Sequence, residues 1–255
     1  MSKQDHQSDP RVLSRRTLGQ DHRALAGLLK PGMQVLDVGC GTGSITAGIA
    51  ERVGDSGFVM GLDRDESLLA IARKDHGHLG HLHFENRDVL DICQGDFDLV
   101  TASRVLQWIS DPGAAIDRMA RVLKRGGILV ALDYDHEQMV LDPAPPASFQ
   151  DFYRAFLAWR AANSWDNRMA LHLPAMFREA GLEDVSVVPS DEFSGKGEAA
   201  SHIWGHVMES IGGKISQAGF YEAANLPPAK TEFEAYLADG FREQRLRLDT
   251  VTGRR

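Results

Sequence analysis

Between residues 33 and 133 the chain alternates short apolar runs with helical segments, and this alternation constrains its fold more than any other feature. Residues 33–38 read as a first buried strand, with 58–63, 81–88, 97–102 and 128–133 as four more. Helical periodicity fills the gaps. Ile45, Ile49 and Val53 recur at four-residue spacing within 43–53, and 67–73 makes a shorter helix. Asp111 before Pro112 supplies an N-cap and a preset first helical residue. The helix that follows turns Ile116, Met119, Val122 and Leu123 inward and stops at Gly126-Gly127. Buried strands joined by helices require a parallel sheet covered on both faces. In such a sheet the ligand lies beyond the carboxyl ends of the strands.

The flanks are less regular. Residues 1–11 are polar and expected to be loose. Residues 12–29 read as one helix with Leu18, Leu25, Leu28 and Leu29 on its apolar face, ended by Pro31-Gly32. Past the fifth strand, 141–146 is a proline-stiffened loop, 149–162 an aromatic-rich helix, and 168–180 a helix stopped by Gly181. Residues 185–188 and 245–251 supply two further strands, and 198–240 is mostly helical, broken at Gly212-Gly213 and Pro227-Pro228. The expectation is an α/β fold with a doubly wound, seven-stranded, mostly parallel sheet. It forms a single domain over 12–255, with helical lid insertions at about 134–170 and 198–240 and Gly212-Gly213 as a hinge.

Composition narrows the partners. The net charge of −8 disfavours a phosphate-tracking surface, so a small molecule is expected as substrate, with no nucleic acid. Cys40 and Cys93 have no metal-ligand spacing and suit a reducing, cytoplasmic setting. The first thirty residues lack an apolar signal core, and no run is long enough to span a bilayer, so a soluble monomer or homodimer without membrane attachment is expected.

The chemistry concentrates at the strand ends. The run Val35-Leu36-Asp37-Val38-Gly39-Cys40-Gly41-Thr42-Gly43 ends the first strand in a glycine-rich turn, where the backbone can approach a ligand closely. The helix behind it offers free N–H groups to a carboxylate or phosphate. The spacing is G-x-G-x-G, against the G-x-G-x-x-G of dinucleotide folds. Asp37 would repel a pyrophosphate and attract an ammonium. Asp63 ends the second strand, where a carboxylate can accept both ribose hydroxyls. Asp88 ends the third, where it can accept from an adenine amine while Val89 packs on the ring.

With Ser103-Arg104-Val105-Leu106-Gln107-Trp108 after the fourth strand, this series resembles the motifs of class I S-adenosylmethionine (SAM)-dependent methyltransferases. The nearest group is the ubiquinone/menaquinone-biosynthesis-like and antibiotic-modifying set. The resemblance is strong over 12–135, returns at 171–188 and in the closing 251–255, and implies a Rossmann-like methyltransferase fold. It implies that Asp63 holds the SAM ribose, Asp88 the adenine amine, and the backbone around Gly39 and Ser103 the methionine part. It also implies a carboxylate-binding arginine before the first strand, a place Arg16 fits, with Arg15 as substitute. Cys40, Gly41, Arg64 and Val89 complete the expected cofactor set. The family often carries histidine where this chain has Trp108.

Because the SAM sulfonium is already activated, transfer needs chiefly orientation of the acceptor, and no residue is assigned as catalytic. On the acceptor side stand Tyr134, Asp135 and His136. His136 has an unperturbed pKa suited to a base, the alternative being that these are ordinary polar loop residues. Phe152, Tyr153, Phe156, Trp159 and Trp165 either cover a planar acceptor or form core. His76, His78, His81 and His83 cluster without a completing ligand, so no metal is expected. The resulting expectation is methyl transfer to O, N or C of a planar heteroaromatic or quinone-like small molecule, leaving S-adenosylhomocysteine. A SAM-binding protein without transfer, and a protein or nucleic-acid methyltransferase, are the alternatives.

Overall fold

The computed structural model describes residues 9–198 and 202–255. They form two compact units. The first comprises Pro10–Asp133, Met169–Ser190 and Asp249–Arg255, and the second Tyr134–Arg168 and Asp191–Leu248 together with Asp9. Residues 1–8 of the expected loose segment, and 199–201 of the second insertion, lie outside the described residues.

The first unit opens with three short helices, α1 (Pro10–Leu13), α2 (Leu18–Asp21) and α3 (Arg23–Leu28), where one helix was expected. His22, with φ of −149° and ψ of 57°, separates α2 from α3, and Thr17 separates α1 from α2. The Thr17 side chain accepts from Gln20 N at 3.3 Å while its own N–H donates to Asp21 Oδ2 at 2.7 Å, a reciprocal cap that starts a new helix. The strands β1 (Gln34–Val38), β2 (Phe58–Asp63), β3 (Leu82–Asn86), β4 (Phe97–Ser103) and β5 (Leu123–Asp142) follow, separated by α4 (Ser44–Val53), α5 (Glu66–His76) and α6 (Pro112–Arg121). The remaining strands are β6 (Glu183–Pro189), β7 (Glu192–Gly195) and β8 (Glu243–Arg254). The sheet order is β3-β2-β1-β4-β5-β8-β6, with β7 also on β8. β1 to β5 pair in parallel, and β6 and β7 run antiparallel to β8. The doubly wound α/β fold is as expected; the eighth strand is β7, four residues too short to show as a pattern.

Alternation along each strand divides the core. Leu36, Val38, Val100 and Ala102 face Ile116 and Met119 of α6 and Leu173 and Phe177 of α8 (Met169–Glu179). Val35, Val59, Leu99 and Val130 face Ile49 and Val53 of α4 and Leu25 of α3. Since β1 lies between β2 and β4, successive connections leave it in opposite directions, which opens a crevice at its carboxyl end.

The second unit is largely helical: α7 (Ala147–Ala162), α9 (Ile203–Gln217), α10 (Leu226–Ala235) and a π turn at Tyr236–Gly240. β5 and β8 run on into it. Two expectations are corrected here. Residues 134–142 are strand, not lid or loop, because β5 continues through them. Gly212-Gly213 is not a break: α9 runs through it, and Gly212 is small because a Cβ there would meet Leu226 Cδ2 at 2.7 Å. Pro227 and Pro228 do mark a boundary, as the first turn of α10.

Candidate functional site

Register brings the expected cofactor residues of the first unit to the same end of the sheet. Val38 pairs with Leu62 on one side and Ala102 on the other, and Asp63 pairs with Asn86. Asp37, one residue before the end of β1, therefore lies at the same end of the sheet as Asp63 and Ser103, which end the flanking strands β2 and β4. The turn between β1 and α4 holds Gly39, Gly41 and Gly43 at φ of 70°, 55° and 76°. Side chains resist this left-handed region, and space forbids them too. A Cβ at Gly39 would overlap the side chain of Val105, and one at Gly43 would meet Phe84 Cζ at 2.7 Å. Gly39 and Cys40 donate to Leu62 O at 2.7 and 2.9 Å, tying the turn to β2.

Asp63 stiffens the turn further. Its Oδ2 accepts from Gly41 N at 2.8 Å and its Oδ1 from Asp65 N at 2.9 Å. A carboxylate has about four acceptor positions, so two remain for a ligand's hydroxyls. Burial raises the Asp63 pKa, and the two N–H donors partly offset that rise. Asp37 is buried, with Oδ2 accepting from Thr46 Oγ1 at 2.6 Å. Its pKa is pushed up to about 7, by burial first and also by the nearby Asp63 charge, while the Thr46 bond pulls it back. Among the described residues no donor reaches its other oxygen. Asp88 caps a 3-10 turn at Val89–Asp91 by accepting from Leu90 N at 2.9 Å, and the buried Val89 follows it. Cys40 is half-buried in the turn, and burial raises its thiol pKa well above the ordinary value, so it stays a neutral wall residue. Arg64 is exposed directly after Asp63, and Arg16 is half-buried in the link from α1 to α2.

Arg104 and His22 are features the sequence reading missed. Arg104 adopts φ 62° and is buried, with its guanidinium donating to Ser103 Oγ at 3.0 Å and to Asp21 O at 3.1 Å. His22 is buried beside it, and among the described residues neither ring nitrogen has a partner. Burial, then the Arg104 charge, lowers the His22 pKa to about 3, so the ring is neutral. No periodicity marks a non-glycine residue with positive φ, so nothing in the sequence distinguished Arg104 from an exposed loop arginine.

This donor set fits the adenosyl sulfonium. The turn admits a ligand only because it lacks side chains. Asp37, Asp63 and Asp88 offer acceptors to ammonium, hydroxyl and amine groups. The first turn of α4 has no side-chain cap, leaving N–H groups for a carboxylate.

Tyr134 and His136 belong to the second unit and lie on β5, not on a loop. Two residues apart on one strand face, their rings stack with centroids 5.0 Å apart. His136 meets Phe156 and Trp204 edge-on at 5.7 and 6.5 Å, and its backbone carbonyl accepts from Tyr153 Oη at 2.6 Å. Burial, then Arg160, lowers its pKa well below the ordinary value, which corrects the expectation of a near-neutral base. Asp135 accepts from Glu137 N and faces Arg168. Phe152, Phe156, Trp159 and Trp165 are all buried, and Phe149 stacks on Phe233 at 4.3 Å, so the aromatic stretch is core of this unit. Two of the clustered histidines have separate structural uses: His81 bonds Ala50 O at 2.9 Å, and the His83 ring packs tilted against Phe58 with centroids 5.3 Å apart. Among the described residues no three histidine, cysteine or acidic side chains are grouped to hold a metal, and no helix is long and apolar enough to cross a membrane.

A glycine-rich turn flanked by strand-end carboxylates at the switch point of a doubly wound sheet defines a nucleoside-binding α/β protein. The comparisons specify it further. A family model described as a methyltransferase domain matches residues 29–180, and the chain belongs to that family, the class I SAM-dependent methyltransferases. The cofactor of this class is SAM. The chain is 38% identical over 119 residues to a ubiquinone/menaquinone biosynthesis C-methyltransferase from Vibrio campbellii, covering 45% of each chain. It is 33% identical over 177 residues to the same enzyme from Vibrio vulnificus, covering 62% of this chain and 66% of that one. It thus spans about half the length of the first of these relatives. Among solved structures, the YcgJ protein of Bacillus subtilis has a TM-score of 0.59 at 17% identity, covering 92% of this chain and 99% of that one. A phosphoethanolamine N-methyltransferase from Haemonchus contortus, solved with S-adenosylhomocysteine, has a TM-score of 0.57 at 17% identity, covering 93% and 52%. These two share the fold.

Proposed function

We propose that this chain transfers the methyl group of SAM to an O, N or C atom of a small planar acceptor, heteroaromatic or quinone-like, and releases S-adenosylhomocysteine. The observation that carries the cofactor half is Asp63: its carboxylate is fixed by Gly41 N and Asp65 N at the tip of β2 and still has acceptor capacity for two ribose hydroxyls. In this reading Asp88 accepts from the adenine amine, with Val89 against the ring. Asp37 faces the methionine ammonium, and Arg16, Arg64 and the Gly39, Cys40 and Ser103 backbone complete the cofactor shell. When bound, SAM supplies an electrophilic methyl on a sulfonium. The protein's contribution is to hold donor and acceptor in line and exclude water, and fixed orientation is worth up to about 7–11 kcal/mol of barrier.

The acceptor class draws support from the Vibrio relatives, named for C-methylation in ubiquinone and menaquinone biosynthesis. We assign Tyr134 and His136 to acceptor recognition, with His136 acting as a neutral ring that accepts or donates a hydrogen bond. The net negative charge favours a small molecule over nucleic acid. We place the enzyme in the cytoplasm.

Calorimetric titration tests the cofactor half. SAM and S-adenosylhomocysteine should bind and NAD should not. Asp63→Ala should weaken SAM binding by about tenfold to a hundredfold, the loss expected for hydrogen bonds to a charged group. Unchanged affinity would refute the ribose assignment. Incubation of labelled SAM with metabolite extracts then tests transfer, and a protein that binds SAM yet labels nothing is a binder only. With the acceptor in hand, His136→Phe should lower transfer about tenfold, the loss of one hydrogen bond to the acceptor, while leaving SAM affinity intact.

A further inference from the structure

The amino ends of the strands in the first unit hold a second feature, away from the SAM turn. A cavity of about 320 Å³ opens there between the link preceding β1 and the starts of β4 and β5. Lys30, Lys124, Arg125 and Arg254 line it, against one acid, Asp98. That is a local excess of positive charge in a chain whose net charge is −8. Asp98 does not neutralise the group. Its Oδ2 accepts from Gln34 N at 2.8 Å and its Oδ1 from Lys124 Nζ at 2.8 Å, so its charge is shared between a backbone donor and one lysine. Arg254 donates to Gly126 O at 3.2 Å, which aims its guanidinium along the cavity edge, and the exposed Asp184 is 3.9 Å from its Nε. Lys30 and Arg125 meet no carboxylate among the described residues.

The rest of the lining is apolar or bare backbone. Leu28, Met33 and Ile128 contribute hydrocarbon, and Gly126 has open space where a Cβ would stand. Cations around a partly apolar concavity suit a compact anion that carries an organic body. Arginine forks and lysine point charges together match a phosphate dianion better than a single carboxylate.

We propose that this cavity is a binding site for a small phosphorylated metabolite, its phosphate held by Lys30, Lys124, Arg125 and Arg254 and its organic part over Leu28 and Ile128. The site lies at the opposite ends of the strands from the SAM turn, and it stands whether or not the proposed transfer activity does.

The test uses phenyl phosphate as probe, with inorganic phosphate and benzenesulfonate as controls at matched ionic strength, followed by amide NMR on the full chain. Phenyl phosphate should shift the amides of Leu28, Gly126 and Gly127 saturably. It should bind several-fold more tightly than inorganic phosphate, and benzenesulfonate should bind weakly. The double variant Lys30→Glu/Arg125→Glu should lose at least about tenfold in affinity, since it reverses two of the four charges. Both side chains are exposed, so it should fold, and SAM titration verifies this because the cofactor end is untouched. Lys30→Gln/Arg125→Gln should show the same trend more mildly. The proposal fails if phenyl phosphate moves no amide, or if benzenesulfonate moves them equally. It also fails if inorganic phosphate binds as tightly, or if the charge-reversed protein binds SAM normally and phenyl phosphate without loss.

Discussion

The two units use their polar groups in opposite ways. In the sheet-bearing unit, Asp37, Asp63 and Asp88 stand at strand ends where the backbone turns away, and each keeps acceptor capacity beyond its bonds to Thr46, Gly41 and Leu90. In the helical unit two of the polar side chains, Arg160 and Tyr153, are instead bound to neighbours inside it. Arg160 is fully buried, donating to Asn167 Oδ1 at 2.8 Å and lying over the Phe156 ring, and Tyr153 Oη is bound to the His136 carbonyl. Acceptors left open at chain reversals recruit ligands, whereas polar atoms satisfied among rings stabilise a core.

The strongest challenge to that contrast is a large core deletion. Phe233 is fully buried and stacked on Phe149, so Phe233→Ala should lower unfolding free energy by about 3–5 kcal/mol in a denaturant titration. SAM affinity, measured below the transition, should not change. A parallel loss of affinity would break the comparison, because it would make the aromatic core part of the cofactor site. The matching change in the other unit is Gly39→Ala. It combines a left-handed φ with overlap onto Val105, and should cost about 2 kcal/mol of stability. Here, by contrast, SAM binding should fall at least about tenfold, because the turn itself must move.

The same contrast explains what could be read in advance. β1 to β4 and α4 to α6 were legible because each carries a two- or 3.6-residue period bounded by glycine, proline or a capping aspartate. The placement of Asp37, Asp63 and Asp88 at one end of the sheet was legible because it follows directly from those strands. Tyr134 and His136 looked like loop residues because the apolar run stops at Leu132. The strand continues past it through Asp133, Asp135 and Glu137, polar residues held by tertiary bonds such as Gln107 N to Asp133 Oδ2 at 3.1 Å. Thr17 is not marked as a cap in the sequence, because the leucine face of 12–29 (Leu18, Leu25, Leu28 and Leu29) begins directly after it and no glycine or proline sets it apart from the residues before it. His22 and Arg104 were hidden because their burial arises from contacts across 83 residues of sequence, such as Arg104 Nη2 to Asp21 O.

Proton binding at Asp37 gives a smaller and sharper test. Its folded pKa is about 7 against an ordinary 3.8, so the folded protein holds this proton more tightly than the unfolded chain does. Stability from this group is present below about pH 3.8 and declines by about 1.4 kcal/mol per pH unit as pH rises towards 7. The methionine ammonium of SAM favours the ionised form, so affinity should instead rise with pH up to about 7 and then level off. Asp37→Asn should flatten both curves while keeping an acceptor for Thr46. If the variant retains the wild-type slope in SAM affinity, another group sets it and Asp37 does not face the ammonium.

The smallest effects separate packing from flexibility within α9. Gly212 and Gly213 are adjacent in one helix yet stand in different surroundings: a Cβ on Gly212 would press on Leu226, whereas nothing lies within 4 Å of one on Gly213. Gly213→Ala should therefore stabilise the protein by about 0.5–1 kcal/mol through helix propensity alone. Gly212→Ala should destabilise it, because the gain in propensity is outweighed by displacement of the leucine. Thermal melts of the two variants read the sign directly. A hinge at this pair would instead make both substitutions lower turnover without such opposed shifts in melting temperature, and the helical unit would then carry a moving part that its packing does not indicate.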